Sequence, residues 1–149
     1  MSAMRKIRFV VEIGAPPARV YDLMIEADSY RDWTSAFAEG SCYEGSWQTG
    51  SRIRFLGPGG HGMVAEIAEN RPHEFISIRH LGLIANGVED TGSAAIRAWA
   101  PAYENYTLLA APGGTRLCID QEVPEDFAPY LCEAWPKALQ RLRAICEAR

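Results

Sequence analysis

Ala15-Pro16-Pro17-Ala18-Arg19-Val20-Tyr21-Asp22 is the stretch of this 149-residue chain that decides the fold. The residues before it, from Ile7 to Ile13, largely alternate between apolar and polar, which is the period-two pattern of a half-buried strand. Pro16 lacks a backbone donor and restricts the residue before it, so the strand ends there. Pro17 suits a first helical turn, and apolar residues at helical spacing follow. The stretch therefore predicts a short helix over residues 17–26.

Beyond this junction the pattern is typical of a sheet. Asp28 or Ser29 can cap a second short helix that runs to Trp33. Six strand-like segments follow, separated by turns rich in glycine and proline: 39–45, 52–57, 62–69, 74–82, 103–111 and 115–123. Residues 83–101 show no strand pattern, although residues 93–98 could form a helical turn.

The C-terminal segment has the pattern of one long amphipathic helix. Glu125 or Asp126 places negative charge at its start, where the helix dipole is positive. Pro136 removes one backbone hydrogen bond within the helix and predicts a kink. The apolar residues recur at steps of three and four: Phe127, Leu131, Trp135, Ala138, Leu142 and Ile145. This order of elements predicts an α+β fold, in which a curved antiparallel sheet holds the long helix and encloses a pocket.

Length, charge and cysteine spacing narrow the class of protein. A chain of 149 residues fits a single domain over residues 1–149. The net charge of −4 argues against binding to nucleic acid or to an anionic membrane surface. The sequence has no signal-peptide pattern and no run near the roughly 18 apolar residues of a membrane span, so we expect a cytoplasmic location. The four cysteines lack CxxC spacing and are expected to be reduced thiols.

No metal or other cofactor is predicted, because the three histidines lie on separate segments without paired spacing. A serine nucleophile signature is also absent. We therefore assign no catalytic residue from the sequence.

Seven short motifs span nearly the whole chain in a fixed order: Ile13–Tyr21, Tyr30–Thr34, Gly40-Ser41 with the turn Gly45–Gly50, Gly62–Ile67 before Arg71-Pro72, Glu104–Leu108, Gly114–Leu117 and Trp135–Leu142. Together they resemble the START-like superfamily, also called SRPBCC or Bet v 1-like, and within it the branch of the C-terminal domain of the activator of Hsp90 ATPase. The resemblance implies a helix-grip fold, with two short helices after strand 1 and a long C-terminal helix on a seven-stranded sheet. It also implies one of three activities: binding of hydrophobic small molecules, cyclase or other lyase chemistry, or binding of a partner protein.

Strand periodicity places several polar side chains on the side of the sheet that faces the pocket. If Ile76 and Ile78 face inward, then His80 does too, and if Leu117 and Ile119 face inward, Gln121 does as well. On strand 103–111, Glu104 and Tyr106 share one face with Leu108, and we expect that face to point the same way. A one-residue slip or a bulge would turn them outward. A histidine and a carboxylate in one pocket can transfer protons, anchor a ligand, or form a structural hydrogen bond. The sequence leaves these three roles open.

Large aromatic side chains are the other candidates for the pocket. Phe55 lies on a strand and Trp135 on the helix stripe, and each could line the pocket or pack in the core. Trp99 lies in the long connection 83–101, so it could form the pocket entrance or pin the loop. Trp47, in a turn, could be exposed or contact a second copy in a homodimer. The candidate ligand-binding residues are Phe55, Ile78, His80, Trp99, Glu104, Tyr106 and Trp135.

Three functions fit these patterns. The first is binding of a hydrophobic or aromatic small molecule between the sheet and the C-terminal helix. The second is a partner-binding module, with a chaperone as the partner that the resemblance implies. The third is a cofactor-free cyclase, lyase or hydrolase that uses His80 with Glu104. The absence of a recognisable catalytic signature favours binding over catalysis.

Overall fold

The computed structural model describes residues 3–148. Its strands and α-helices follow this order: β1 Met4–Ile13, α1 Pro17–Ile25, α2 Ala27–Trp33, β2 Cys42–Gly45, β3 Arg52–Leu56, β4 Gly62–Arg71, β5 Phe75–Ala85, β6 Val88–Asp90, α3 Ala94–Arg97, β7 Ala102–Ala111, β8 Gly114–Pro124 and α4 Ala128–Glu147. Short 3-10 turns cover Thr34–Ala36, Pro58–Gly60 and Glu125–Phe127. Within the described residues, no helix is both long enough and apolar enough to cross a membrane.

All neighbouring strands are antiparallel, in the order β1-β8-β7-β5-β4-β3-β2, and β6 adds to the end of β5. The pairing of β4 with β5 shifts register twice, between Val64 and Ala65 and between Ile67 and Glu69. Such bulges bend a strand and increase its twist. With α4 packed on one face of this curved sheet, the predicted α+β helix-grip architecture is confirmed.

The sheet contains an eighth strand that the sequence pattern did not reveal. β5 continues to Ala85, and Asn86 and Gly87 form a turn in which both residues have positive φ angles, of 52° and 77°. This geometry suits a two-residue hairpin turn, and β6 pairs back onto the end of β5. The prediction that residues 83–101 lack strand structure was therefore wrong for their first part. Periodicity gives no signal here because all three residues of β6 are exposed. The helical turn predicted near residue 94 is present as α3.

The hydrophobic core lies between the sheet and α4. Strand residues such as Ile53, Ile78 and Ile119 are fully buried, and Trp135 and Leu142 of the helix pack against the same cluster. This confirms most of the predicted apolar stripe.

The first residue of the predicted stripe, Phe127, lies outside the core. It is 58% exposed, because it belongs to the 3-10 turn that precedes α4 and not to the helix itself. The start of α2 also differs from the prediction, since the capping position is Glu26. Ser29 instead donates its hydroxyl to the backbone carbonyls of Leu23 and Glu26 inside the helical region.

The stretch that decides the fold also fixes the end of α4. Arg19 donates to the carbonyl oxygens of Cys146 and Ala148, each at 2.7 Å. Cys146 lies in the last turn of α4 and Ala148 is the residue that caps it. Carbonyl groups at the end of a helix have no partner within the helix. The backbone N–H of Gly14 donates to the Glu147 carboxylate at 2.8 Å. The first junction of the chain and its last helix therefore hold each other in place.

Candidate functional site

A cavity of about 310 Å³ opens between the sheet, the α2 region and α4. Most of its wall is apolar or aromatic, and the polar groups gather where β5, β7 and β8 meet α4. The lining residues are Tyr30, Trp33, Thr34, Phe37, Ala38, Ser41, Trp47, Phe55, Leu56, Gly57, Gly62, Met63, Ile78, His80, Glu104, Tyr106, Gln121, Leu131 and Trp135.

Six of the seven residues predicted from the sequence line this cavity together. They are Phe55, Ile78, His80, Glu104, Tyr106 and Trp135, and Gln121 joins them. The strand register explains the arrangement, since Ile78 pairs with Glu104 and Glu104 pairs with Gln121 across three neighbouring strands. His80 and Tyr106 lie two residues further along β5 and β7, so they share the same face.

Trp99 is not among the residues that line the cavity. The segment that carries it contributes Arg97 to a separate hollow, whose other walls include Arg52 and Arg79. These two arginines alternate with core residues of β3 and β5, so their side chains lie on the opposite face of the sheet. The pairing of β6 with β5 directs the segment to that side. Trp99 is therefore not a cavity residue, and its side chain is half-buried away from the cavity.

The polar end of the cavity is one continuous hydrogen-bond network centred on Glu104. Its Oε1 lies 3.0 Å from His80 Nε2 and 3.2 Å from Gln121 Nε2. The Tyr106 hydroxyl donates to the other carboxylate oxygen, and the Trp135 indole donates to Gln121 Oε1 at 2.8 Å. The His80 and Glu104 side chains are only 5% and 13% exposed. The network is thus largely shielded from bulk water.

Trp135 fixes the donor and acceptor roles in this network, because an indole nitrogen can only donate. Its partner must be the amide oxygen of Gln121, and this turns the amide nitrogen toward Glu104. That nitrogen can only donate as well, so Glu104 Oε1 is an acceptor. Because Glu104 Oε1 is an acceptor, its other partner, His80 Nε2, must be the donor, and we assign the ring proton to this nitrogen. Glu104 therefore accepts hydrogen bonds from three side chains.

Two phenols near Glu104 are held in their neutral form. Burial raises the pKa of Tyr106 well above its ordinary value, and the negative charge of Glu104 and its hydrogen bond act in the same direction. Burial also raises the pKa of Tyr30 well above its ordinary value, and the negative charge of Glu104 raises it further. Both tyrosines thus keep their protons over the physiological pH range.

An aromatic cluster forms the apolar part of the wall, and sequence patterns alone did not reveal most of it. The Tyr30 ring contacts those of Trp33, Trp47 and Phe55 at centroid distances of 5.6–6.2 Å. Trp47 is therefore part of the cavity wall, and its indole nitrogen is buried. This corrects the expectation of an exposed role for Trp47. Tyr30 and Trp33 stand three residues apart in α2, a spacing that places them on one helix face.

The described part of the chain contains no candidate metal site. Across residues 3–148, no three histidine, cysteine, aspartate or glutamate side chains come together in a way that could hold a metal ion. The four cysteines are free thiols.

Several solved structures share this fold. A protein from Chromobacterium violaceum superposes with a TM-score of 0.69 at 22% identity, over 97% of this chain and 98% of that chain. The Aha1 dimer from Colwellia psychrerythraea gives a TM-score of 0.70 at 17% identity, over 96% of each chain. DynU16, a protein in the dynemicin biosynthetic locus, gives 0.68 at 18% identity, over 96% of this chain and 47% of that chain.

At these identities the likeness shows the fold alone, and the fold is the helix-grip architecture that the motifs implied. No protein-family model matches the sequence, and no curated protein matches it.

Proposed function

We propose that this protein binds a hydrophobic or aromatic small molecule in the cavity between the sheet and α4. The observation that carries the proposal is the composition of the wall: it consists mainly of aromatic and aliphatic side chains, and its one hydrogen-bonded side-chain network joins His80, Glu104, Tyr106 and Gln121. Ligand sites in proteins have this character, with a mainly apolar surface and a few polar groups that orient the ligand.

The size of the cavity agrees with this function. Its volume of about 310 Å³ is at the lower end of the range typical of small-molecule sites. Transfer of apolar ligand surface from water contributes about 25 cal/mol per Å². The fixed hydrogen bonds around Glu104 supply a rigid polar end without further ordering on binding.

Native mass spectrometry of freshly purified protein, followed by organic extraction, tests the proposal. We expect an apolar molecule to co-purify and to leave on extraction. Ala38→Phe places a ring in the cavity and should abolish the bound mass, because Ala38 lines the wall. Ala95→Phe is the matched control, since Ala95 is exposed on α3, away from the cavity lining. A bound mass that survives Ala38→Phe would place the ligand elsewhere.

Proton-transfer catalysis is a second candidate function, favoured by one specific observation. His80 Nε2 is held by Glu104, while Nδ1 is buried and has no hydrogen-bond partner. A carboxylate that orients a histidine in this way is an arrangement used in general base catalysis. A cyclase, lyase or hydrolase activity that persists in the His80→Ala, Glu104→Ala double variant would reject these residues as the acid–base pair.

The native mass spectrum also reports the oligomeric state. The Colwellia protein with this fold is a dimer, and a homodimer is our expectation here as well. Partner binding of the kind implied by the resemblance to the Hsp90 activator branch is tested by a pull-down from native lysate. A pull-down that returns no chaperone would reject that function and leave ligand binding unaffected.

A further inference from the structure

Most hydrogen-bond donors at the polar end of the cavity are already engaged within the protein. Trp135 donates to Gln121, and Gln121 and His80 donate to Glu104 Oε1. The Tyr106 hydroxyl donates to Glu104 Oε2. Apart from the second amide hydrogen of Gln121, the groups that remain for a ligand at this end are lone pairs, on the Glu104 carboxylate, on the Tyr106 oxygen and on the buried His80 Nδ1.

Three other polar groups on the wall donate their hydrogens to the backbone. Ser41 donates its hydroxyl to the carbonyl of Ala38 at 2.6 Å, and the Trp33 indole donates to the carbonyl of Met24 at 3.0 Å. Thr34 donates to a carbonyl one helical turn earlier. Each of these groups donates its hydrogen to a backbone carbonyl, so none of the three is free to donate to a ligand.

The charge of the wall points in the same direction. Among the described residues, those that line the cavity include no lysine or arginine, and Glu104 is the one acidic side chain. A ligand carboxylate would therefore meet a carboxylate in a partly desolvated site without a cation to compensate it. Such an arrangement is strongly unfavourable, because electrostatic repulsion is little screened there.

We infer that the cavity selects a hydrophobic ligand whose polar group is a hydrogen-bond donor, a hydroxyl or an amine, and that Glu104 excludes ligands that carry a carboxylate. This inference rests on the proposed ligand-binding function and adds the chemical class of the ligand. Glu104 and Tyr106 act as the acceptors, and the aromatic cluster around Tyr30 covers the apolar body of the ligand.

Besides the Tyr30 hydroxyl, which keeps its proton, Trp47 is a further donor on the wall. Its indole N–H is buried without a partner, so a ligand acceptor would bind there if the inference were wrong. A Trp47→Phe variant separates the two cases, since it removes the donor and keeps a ring in the cluster.

Equilibrium dialysis with three matched probes tests the inference on the unmodified protein. The probes are 2-methylnaphthalene, 2-naphthol and 2-naphthoate, which share one apolar body and differ in the polar group. We expect 2-naphthol to bind about tenfold more tightly than 2-methylnaphthalene, because it donates to a charged acceptor. We expect 2-naphthoate to bind at least about tenfold more weakly than 2-methylnaphthalene.

Equal affinities, or preferential binding of 2-naphthoate that Trp47→Phe removes, would overturn the inference and leave the proposed function intact. Failure of all three probes to bind would overturn both. Glu104→Gln gives an independent readout: it should bring the affinities of 2-naphthol and 2-naphthoate at least about tenfold closer together, while that of 2-methylnaphthalene stays constant. An unchanged preference in this variant would reject Glu104 as the determinant. If the variant does not fold, the ranking on the unmodified protein decides.

Discussion

Trp135 donates its indole N–H to the side-chain oxygen of Gln121 at 2.8 Å, and this bond joins α4 to β8 at the polar end of the cavity. Trp135 is 2% exposed, and its ring also lies 4.9–6.1 Å from those of Phe37, Trp33 and Tyr106. One side chain thus sets both the packing of α4 and the orientation of the Gln121 amide.

Replacement of Trp135 by Phe should reduce the free energy of unfolding by about 2 kcal/mol, because it removes buried ring volume and leaves the Gln121 oxygen without its donor. Urea denaturation measures the change. Trp99→Phe is the matched control: Trp99 is half-buried and lies outside the cavity wall, so its loss should be smaller. Equal losses in the two variants would contradict the central role of Trp135.

Gly82→Ala should destabilise the β5–β6 hairpin. A Cβ atom at this position would collide with the backbone carbonyl of Asp90, which cannot move without breaking the strand pairing. Overpacking of this kind costs about 1–3 kcal/mol. Gly92→Ala serves as the control, because a Cβ there meets nothing within 4 Å. Comparable stability of the two variants in urea denaturation would show that the hairpin does not pack as described.

Glu147→Gln should destabilise the protein near neutral pH and have little effect in acid. The backbone N–H of Gly14 and the Arg143 guanidinium lower the pKa of Glu147 below its ordinary value of 4.5. A carboxylate with a lowered pKa stabilises the folded state above its ordinary pKa, and that contribution disappears as the pH falls through the lowered value.

Urea denaturation of both proteins near neutral pH and at about pH 3 measures this effect. Glu133→Gln is the control, since Glu133 forms only an exposed pair with Lys137 in the same helix. A difference between wild type and Glu147→Gln that stays the same at both pH values would refute the linkage.

Cys146 should resist alkylation in the folded protein. Burial raises the pKa of its thiol to about 11 from an ordinary value of 9.0. At neutral pH the fraction of reactive thiolate is therefore about a hundredfold smaller than for a thiol with the ordinary pKa. Cys132 is exposed and should react first with iodoacetamide. Mass spectrometry of peptides from the labelled protein measures both rates. Equal labelling of the two cysteines would mean that the end of α4 is open.

The strand-borne part of the site could be predicted from the sequence. Period-two alternation predicted that four polar residues face inward: His80, Glu104, Tyr106 and Gln121. The register of three neighbouring strands brings these side chains together in the cavity. One of the two register shifts between β4 and β5 leaves Ala68 of β4 unpaired, and the other leaves Leu81 of β5 unpaired, after His80. Neither lies between Ile78 and His80, so these two residues keep the same face. Regular backbone geometry makes such side-chain directions predictable.

The remainder of the wall could not be predicted in this way. Phe37 and Trp47 lie in irregular segments, where no period relates sequence position to side-chain direction, and only tertiary packing brings them to the cavity. No sequence pattern indicated that Trp99 lies outside the cavity, because Trp99 too lies in an irregular segment. β6 is exposed along its whole length, so its three residues do not alternate, and the path of the chain after it depends on that strand.

Ligand binding in the cavity is tested most directly by NMR of the four indole N–H groups, titrated with 2-methylnaphthalene. Trp33, Trp47 and Trp135 line the cavity and Trp99 does not, so the protein carries its own control. Single Trp→Phe variants assign the four signals. We predict that the signals of the three cavity tryptophans shift together on titration and that the Trp99 signal stays constant. Shifts confined to Trp99, or no shift at any tryptophan, would contradict binding in this cavity.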